Sequence, residues 1–178
     1  VMFVFGLVMF FILVRKVFNW KVALIASGFL AVVPAYLYRT MAGFSDKEAL
    51  AMFFLFLCLY LFVMAIGEKR LKFKMLYSVL SALSMGLMGA VWGGVNSLFL
   101  VVGGYVLIEL FFGRFKRNDF FAYLAFVVFG FGALYLAYPA RYGLGNLVQS
   151  LTSLAMFIAL AVAFVNYLFF QLDVLKIK

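Results

Sequence analysis

Apolar residues fall into seven runs, roughly 1–14, 22–38, 49–66, 75–91, 95–112, 120–138 and 147–172, separated by short polar gaps. Within a run, apolar and polar residues do not alternate with period two, as the strands of a membrane barrel would. The runs are apolar all round, the pattern of helices surrounded by lipid or by other helices. About 20 such residues cross a bilayer core as a helix. The pattern therefore predicts an all-α, polytopic transmembrane bundle of about seven segments, a single membrane domain over 1–178. The first run is too short to span alone. The last begins with Gln149, Ser150, Thr152 and Ser153, which puts the expected start of its span near Leu154.

Composition supports the bilayer. Of 178 residues 69% are hydrophobic and 12% charged, with a mean hydropathy of +1.20, more apolar surface than a soluble domain can hide. The sequence opens at Val1 inside an apolar run, without a start methionine or signal peptide, and is expected to be a fragment of a longer protein. It has no histidine and one cysteine, Cys58, which excludes histidine-based catalysis, histidine-ligated metal and a disulfide framework.

The net charge of +9 could suit nucleic acid, but the bases lie in the gaps, where they control topology instead. No nucleic-acid partner is expected. Arg15, Lys16, Lys21, Lys69, Arg70, Lys72, Lys74, Arg114, Lys116 and Arg117 occupy the odd gaps, with Lys176 and Lys178 at the end. Arg39, Lys47 and Arg141 are the bases of the even gaps. The positive-inside rule places odd gaps in the cytoplasm and even gaps outside. Trp20, Tyr36, Tyr38, Tyr60, Trp92, Tyr138 and Tyr142 crowd the segment ends like an interfacial aromatic belt. Asn118 or Asp119 is expected to cap the helix that follows. Asn96, Asn166 and Gln171 are expected to hydrogen-bond between helices.

Two of the six acidic residues, Asp46 and Glu48, sit in the second gap. Ionisable groups at the mouth of a membrane bundle are functional-site candidates. Three readings apply. Ser45-Asp-Lys-Glu48 matches a capping box ahead of an apolar helix. Carboxylates at i and i+2 can converge on a hard divalent cation, magnesium or manganese. Arg39 with Asp46, or Lys47 with an acid, can form a surface ion pair worth roughly 0–1 kcal/mol. Glu68, Glu109, Asp119 and Asp173 all map to the opposite side, so a metal site would need ligands from elsewhere.

Pro34-Ala-Tyr36-Leu-Tyr-Arg39-Thr-Met-Ala42-Gly43-Phe-Ser-Asp46-Lys-Glu48 resembles the second acidic motif of oligosaccharyltransferase catalytic subunits, P-x-Y-x-x-R-x-x-A-G-x-x-D-x-E/D/H followed by an apolar helix. Trp92-Gly93-Gly94, one hairpin later, is similar to that family's W-G-G. The resemblance implies a GT-C-like membrane fold and metal-dependent transfer of a polyprenyl- or dolichyl-linked oligosaccharide to the asparagine of N-x-S/T sequons in an acceptor polypeptide. It implies that Asp46 and Glu48 are metal ligands and that Arg39 positions acidic groups or acceptor beside them. The D-x-E loop would face the extracytoplasmic side of a prokaryotic, archaeal cell membrane or of an endoplasmic reticulum membrane. The family's first acidic motif, its later catalytic glutamate and its W-W-D domain are not matched here, so the chain would carry one part of the site. Arg141 is read as a ligand of lipid phosphate or as an anchor to headgroups. Trp92 is read as a substrate contact or a belt residue, with Gly93 and Gly94 serving a tight turn. Two other functions stay open: a different GT-C enzyme using a polyprenyl-phosphate sugar, and a transporter or scaffold in which Ser45–Glu48 is only a cap.

Overall fold

A computed structural model describes residues 2–40 and 47–171, all of the regular structure being helical. Helices α1 (Met2–Val17), α2 (Trp20–Val32), α3 (Pro34–Thr40), α4 (Glu48–Gly67), α5 (Leu71–Val91), α6 (Val95–Phe111) and α7 (Arg117–Ala137) are followed by α8 (Pro139–Tyr142), α9 (Leu144–Gln149) and α10 (Leu151–Asn166). A π-helical turn, Tyr167–Gln171, continues α10. Among the described residues, four helices are long and apolar enough to cross a membrane: α4, α5, α7 and α10 with its extension. At about 1.5 Å per residue, the 17 residues of α6 reach only some 25 Å, short of a core about 30 Å thick.

The seven expected segments are present, with two corrections. The run 22–38 is two helices, because Pro34 has no amide hydrogen to continue α2 and pushes Val33 into extended backbone, at ψ 121°. The run 147–172 is also divided, by Ser150 at ψ 121°, so that α10 starts at Leu151 rather than near Leu154. The sixth gap is not an open loop, since α8 and α9 fill it.

Successive long helices alternate in direction, so helices two crossings apart run parallel. Helix α4 lies antiparallel to α5, with Ser84 Oγ donating to the Phe54 carbonyl at 3.0 Å and Ser81 Oγ to the Cys58 carbonyl at 2.7 Å. Helix α5 then lies parallel to α7, and glycine sets how close they come. A Cβ on Gly86 would stand 2.5 Å from that of Ala133, and one on Gly89 would stand 2.1 Å from the Leu134 side chain. In lipid, where hydrophobicity does not hold helices together, such small-residue contacts let backbones approach and gain dispersion energy. Helix α6 packs parallel to α10, where Gly103 faces the backbone of Ala155 and Met156. Aromatic pairs tie α6 to its neighbours, Phe62 with Tyr105 from α4 and Phe99 with Phe131 from α7. On the other flank, α1 packs on α4 through Phe10 and Phe56.

A buried ion pair joins α5 to α7. Lys74, 5% exposed, pairs through Nζ with an oxygen of Asp119 and also approaches the Ile66 carbonyl at 3.4 Å. The second Asp119 oxygen accepts from the Lys116 amide at 2.9 Å; Lys116 holds the cap position of α7, so Asn118 and Asp119 lie inside the first turn rather than at the cap where they were expected. The aromatic belt is less complete than the sequence suggested. Trp20, Tyr38 and Tyr138 are exposed, but Tyr36 and Tyr142 are buried and donate to the carbonyls of Phe3 and Gly89. Asn96 is exposed rather than bonded between helices.

Gly86→Ala should force α5 away from α7 and destabilise the bundle by about 1–3 kcal/mol. Gly132→Ala on α7, where a Cβ meets open space, should leave stability unchanged or slightly raised. Unfolding in mixed micelles measures both.

Candidate functional site

Alternation of direction gathers the odd gaps at one end of the bundle and the even gaps at the other. At the odd end, the loops after α4 and α6 meet around Lys74 and Asp119, and Glu68, Glu109 and Asp119 lie together there. The even end holds the start of α4, the α5–α6 turn and α8.

Glu48 is the first residue of α4 and only 8% exposed. A carboxylate there meets the unpaired amides and positive dipole end of the helix. The register of α4 on α5, Cys58 beside Ser81 and Phe54 beside Ser84, carries Glu48 to the level of the α5 terminus, next to Trp92 in the chain. Lys47 occupies the cap position of α4 and makes no side-chain capping bond, so the helix begins later than a Ser45 cap would put it. Ser45 and Asp46 lie outside the described residues. Arg39 belongs to the last turn of α3, which contacts α4, and its side chain is likewise outside the described residues.

Trp92 ends α5, and its indole folds back over Gly94, where an added Cβ would stand 2.1 Å from the ring. The Arg141 guanidinium reaches across from α8 and lies on Gly93, 1.8 Å from where a Cβ would be. Neither glycine is needed for a left-handed turn. Gly94 has φ −64°, and among the described residues the positive φ belongs to Gly113. Gly93 and Gly94 form the expected turn between α5 and α6. They clear space for Trp92 and Arg141, two residues 49 positions apart that the fold brings onto one turn.

Arg141 is exposed but not free to wander. Its carbonyl and that of Ala140 accept from Asn146 Nδ2 at 3.3 and 3.1 Å, and its guanidinium carbon sits 5.6 Å from the Tyr142 ring. Tyr142 anchors α8, its hydroxyl donating to the Gly89 carbonyl at 3.1 Å. Burial pushes the Tyr142 hydroxyl above its ordinary pKa, with Arg141 acting in the opposite sense, so it remains a neutral donor. Sequence reasoning missed this anchor, since a tyrosine beside Pro139 and Gly143 reads as a belt residue until Gly89 is placed beneath it.

Among the described residues, no three carboxylate or thiol groups converge as a metal cage. Glu48 is the described acid at the even end. The arrangement offers one sheltered carboxylate, one exposed guanidinium fixed at its base, and an indole beside it.

Residues 3–177 match the family described as Oligosaccharyl transferase STT3, N-terminal. The chain is 33% identical over 162 residues to the dolichyl-diphosphooligosaccharide–protein glycosyltransferase subunit STT3B of Oryza sativa subsp. japonica, covering 91% of this chain and 21% of that protein. It is 32% identical over 120 residues to the rice STT3A subunit, covering 67% and 15%, and 32% identical over 116 residues to STT3B of Arabidopsis thaliana, covering 65% and 15%. The chain thus spans about a fifth or less of the length of these relatives.

Tyr142→Phe should cost about 1 kcal/mol, the net value of one buried hydrogen bond. Arg141→Ala, removing an exposed guanidinium, should change stability by less than about 0.5 kcal/mol. Thermal unfolding of the two variants in detergent checks the contrast.

Proposed function

This chain belongs to the STT3 family of oligosaccharyl transferases, and we propose that it forms part of a membrane catalytic domain that transfers a polyprenyl-(pyro)phosphate-linked oligosaccharide to the asparagine of N-x-S/T sequons. The observation that carries the reading is the sheltered Glu48 carboxylate. It heads α4 two residues after Asp46 of the acidic motif, at the end of the bundle where Trp92 and Arg141 meet.

The residues fit a divalent cation. Carboxylate oxygens are hard ligands suited to magnesium or manganese, and Glu48 is a carboxylate removed from bulk water at a helix start. Asp46 and Glu48 would hold the ion, with further ligands from outside these residues. Such an ion supplies Lewis-acid stabilisation of the phosphate leaving group. Arg39, on the segment leading into the acids, would position them or the acceptor. Arg141 would bind a phosphate oxygen of the lipid carrier through a charge-assisted hydrogen bond, and Trp92 would shield that contact from water.

The reaction would take place on the extracytoplasmic face, because the even end carries few bases and the odd end many. With the site at the membrane surface, the polyprenyl tail stays in lipid while the sugar and the acceptor remain in water. The proposal holds for an archaeal or other prokaryotic cell membrane and for the endoplasmic reticulum.

In the full-length protein, Asp46→Ala should abolish metal-dependent glycan transfer, and retained transfer would overturn the assignment. Arg141→Ala should lower transfer by about 10- to 100-fold, the worth of one hydrogen bond to a charged group. For the topology, Phe44→Cys in a Cys58→Ala background should react with a membrane-impermeant thiol reagent added from outside. Labelling only after permeabilisation would place this end in the cytoplasm.

A further inference from the structure

The odd end holds a cavity of about 500 Å³ between the ends of α4, α5, α6 and α7, within the roughly 300–1,000 Å³ typical of ligand pockets. It stands apart from the acidic site, which lies at the opposite end of the bundle. Its inner wall is apolar apart from Ser78 and the paired Lys74, with Phe62, Val106 and Tyr123 buried there. Its mouth is charged, with Lys69, Arg114 and Lys116 exposed around it. The first turn of α7, a 21-residue helix, opens into it at Asn118 and Asp119.

Four bases, Lys69, Lys74, Arg114 and Lys116, and three acids, Glu68, Glu109 and Asp119, line the cavity, which leaves one positive charge in excess. Each acid is already engaged. Asp119 takes Lys74 and the Lys116 amide. Glu68 takes the Lys69 and Arg70 amides at 2.9 Å each, which hold its carboxyl below the ordinary glutamate range, the Arg70 amide contributing most. Glu109 accepts from the Tyr105 hydroxyl. Among the described residues, Lys69, Arg114 and Lys116 have no carboxylate in ion-pair reach. Arg114 instead has its guanidinium carbon 5.4 Å from the Phe112 ring. Three cations thus face a half-open, part-apolar hollow at the depth where helix ends meet headgroups.

We propose that this cavity binds a phosphate ester, the headgroup of an anionic phospholipid, with the rim bases on the phosphate and the apolar inner wall against the carbon chain. A guanidinium and two ammonium groups are the natural partners of phosphate oxygens. An apolar wall beneath them suits a lipid better than a small soluble anion.

The test uses purified protein in nanodiscs of mixed phosphatidylcholine and phosphatidylglycerol, with bound lipid counted by native mass spectrometry. Phosphatidylglycerol should be retained in preference. The triple variant Lys69→Gln, Arg114→Gln, Lys116→Gln should lower that retention by about a hundredfold, about fivefold per charge. Arg15→Gln with Lys16→Gln, which removes two bases of the same end outside the cavity, should leave retention unchanged. Binding of inorganic phosphate by detergent-solubilised protein, lost in the triple variant, would support the phosphate site and assign it to a soluble ester. No preference between the two lipids together with no phosphate binding overturns the proposal, and so does an equal loss in the Arg15, Lys16 variant.

Discussion

Helix α5 can lie against α7 only because their shared face carries almost no bulk. Gly86 meets Ala133, Gly89 accepts Leu134, and Gly130 takes the end of Met85. A bilayer gives apolar side chains no reason to leave it, so helices hold together by close packing and a few polar contacts. The α5–α7 contact has both, with glycine along its length and the Lys74–Asp119 pair near one end. Helix α4 reaches the same core by donation of two α5 serines to its carbonyls. Removing one partner of a buried pair leaves an uncompensated charge, so Lys74 and Asp119 make sense only together.

That packing gives the two ends of the bundle different chemistry. At one end, the chain places most of its bases, four of them around a hollow. At the other, the sequence keeps few charges. Glu48 is withdrawn at a helix start, while Arg141 is laid on a glycine by a short helix pinned beneath it through Tyr142. The proposed chemistry at that end would draw on this difference, because a carboxylate withdrawn from water interacts more strongly with charge that approaches it.

Much of this was legible in the sequence, for identifiable reasons. Continuous apolar runs specify helices, and short gaps force alternation, so the division of gaps between two ends followed from counting. The break at Pro34 was not foreseen, because the apolar residues of the run 22–38 read as one segment although it holds a helix-stopping proline. What could not be read were contacts made by distant segments. Nothing near Tyr142 points to Gly89, and nothing near Gly93 points to Arg141. Lys74 reads as one more base in a basic gap until it is seen on one stripe with Ser78, Ser81 and Met85, the α5 face that turns inward. Of the acidic motif, the Glu48 position follows from the helix start, whereas Asp46 lies outside the described residues.

The pairing of α6 with α10 has a consequence in time. Their partnership is parallel, so one further passage of the membrane, that of α7, must be made between them. About forty residues separate the end of α6 from the start of α10. At synthesis rates of about 5–20 residues per second, α6 waits about 2–8 s for its principal neighbour. During that interval the face bearing Gly103 lacks its α10 partner, and a chaperone or another subunit could occupy it before α10 arrives. The order of manufacture therefore leaves this half of the bundle unfinished longest, while the half built on α4 and α5 closes as soon as one hairpin is complete.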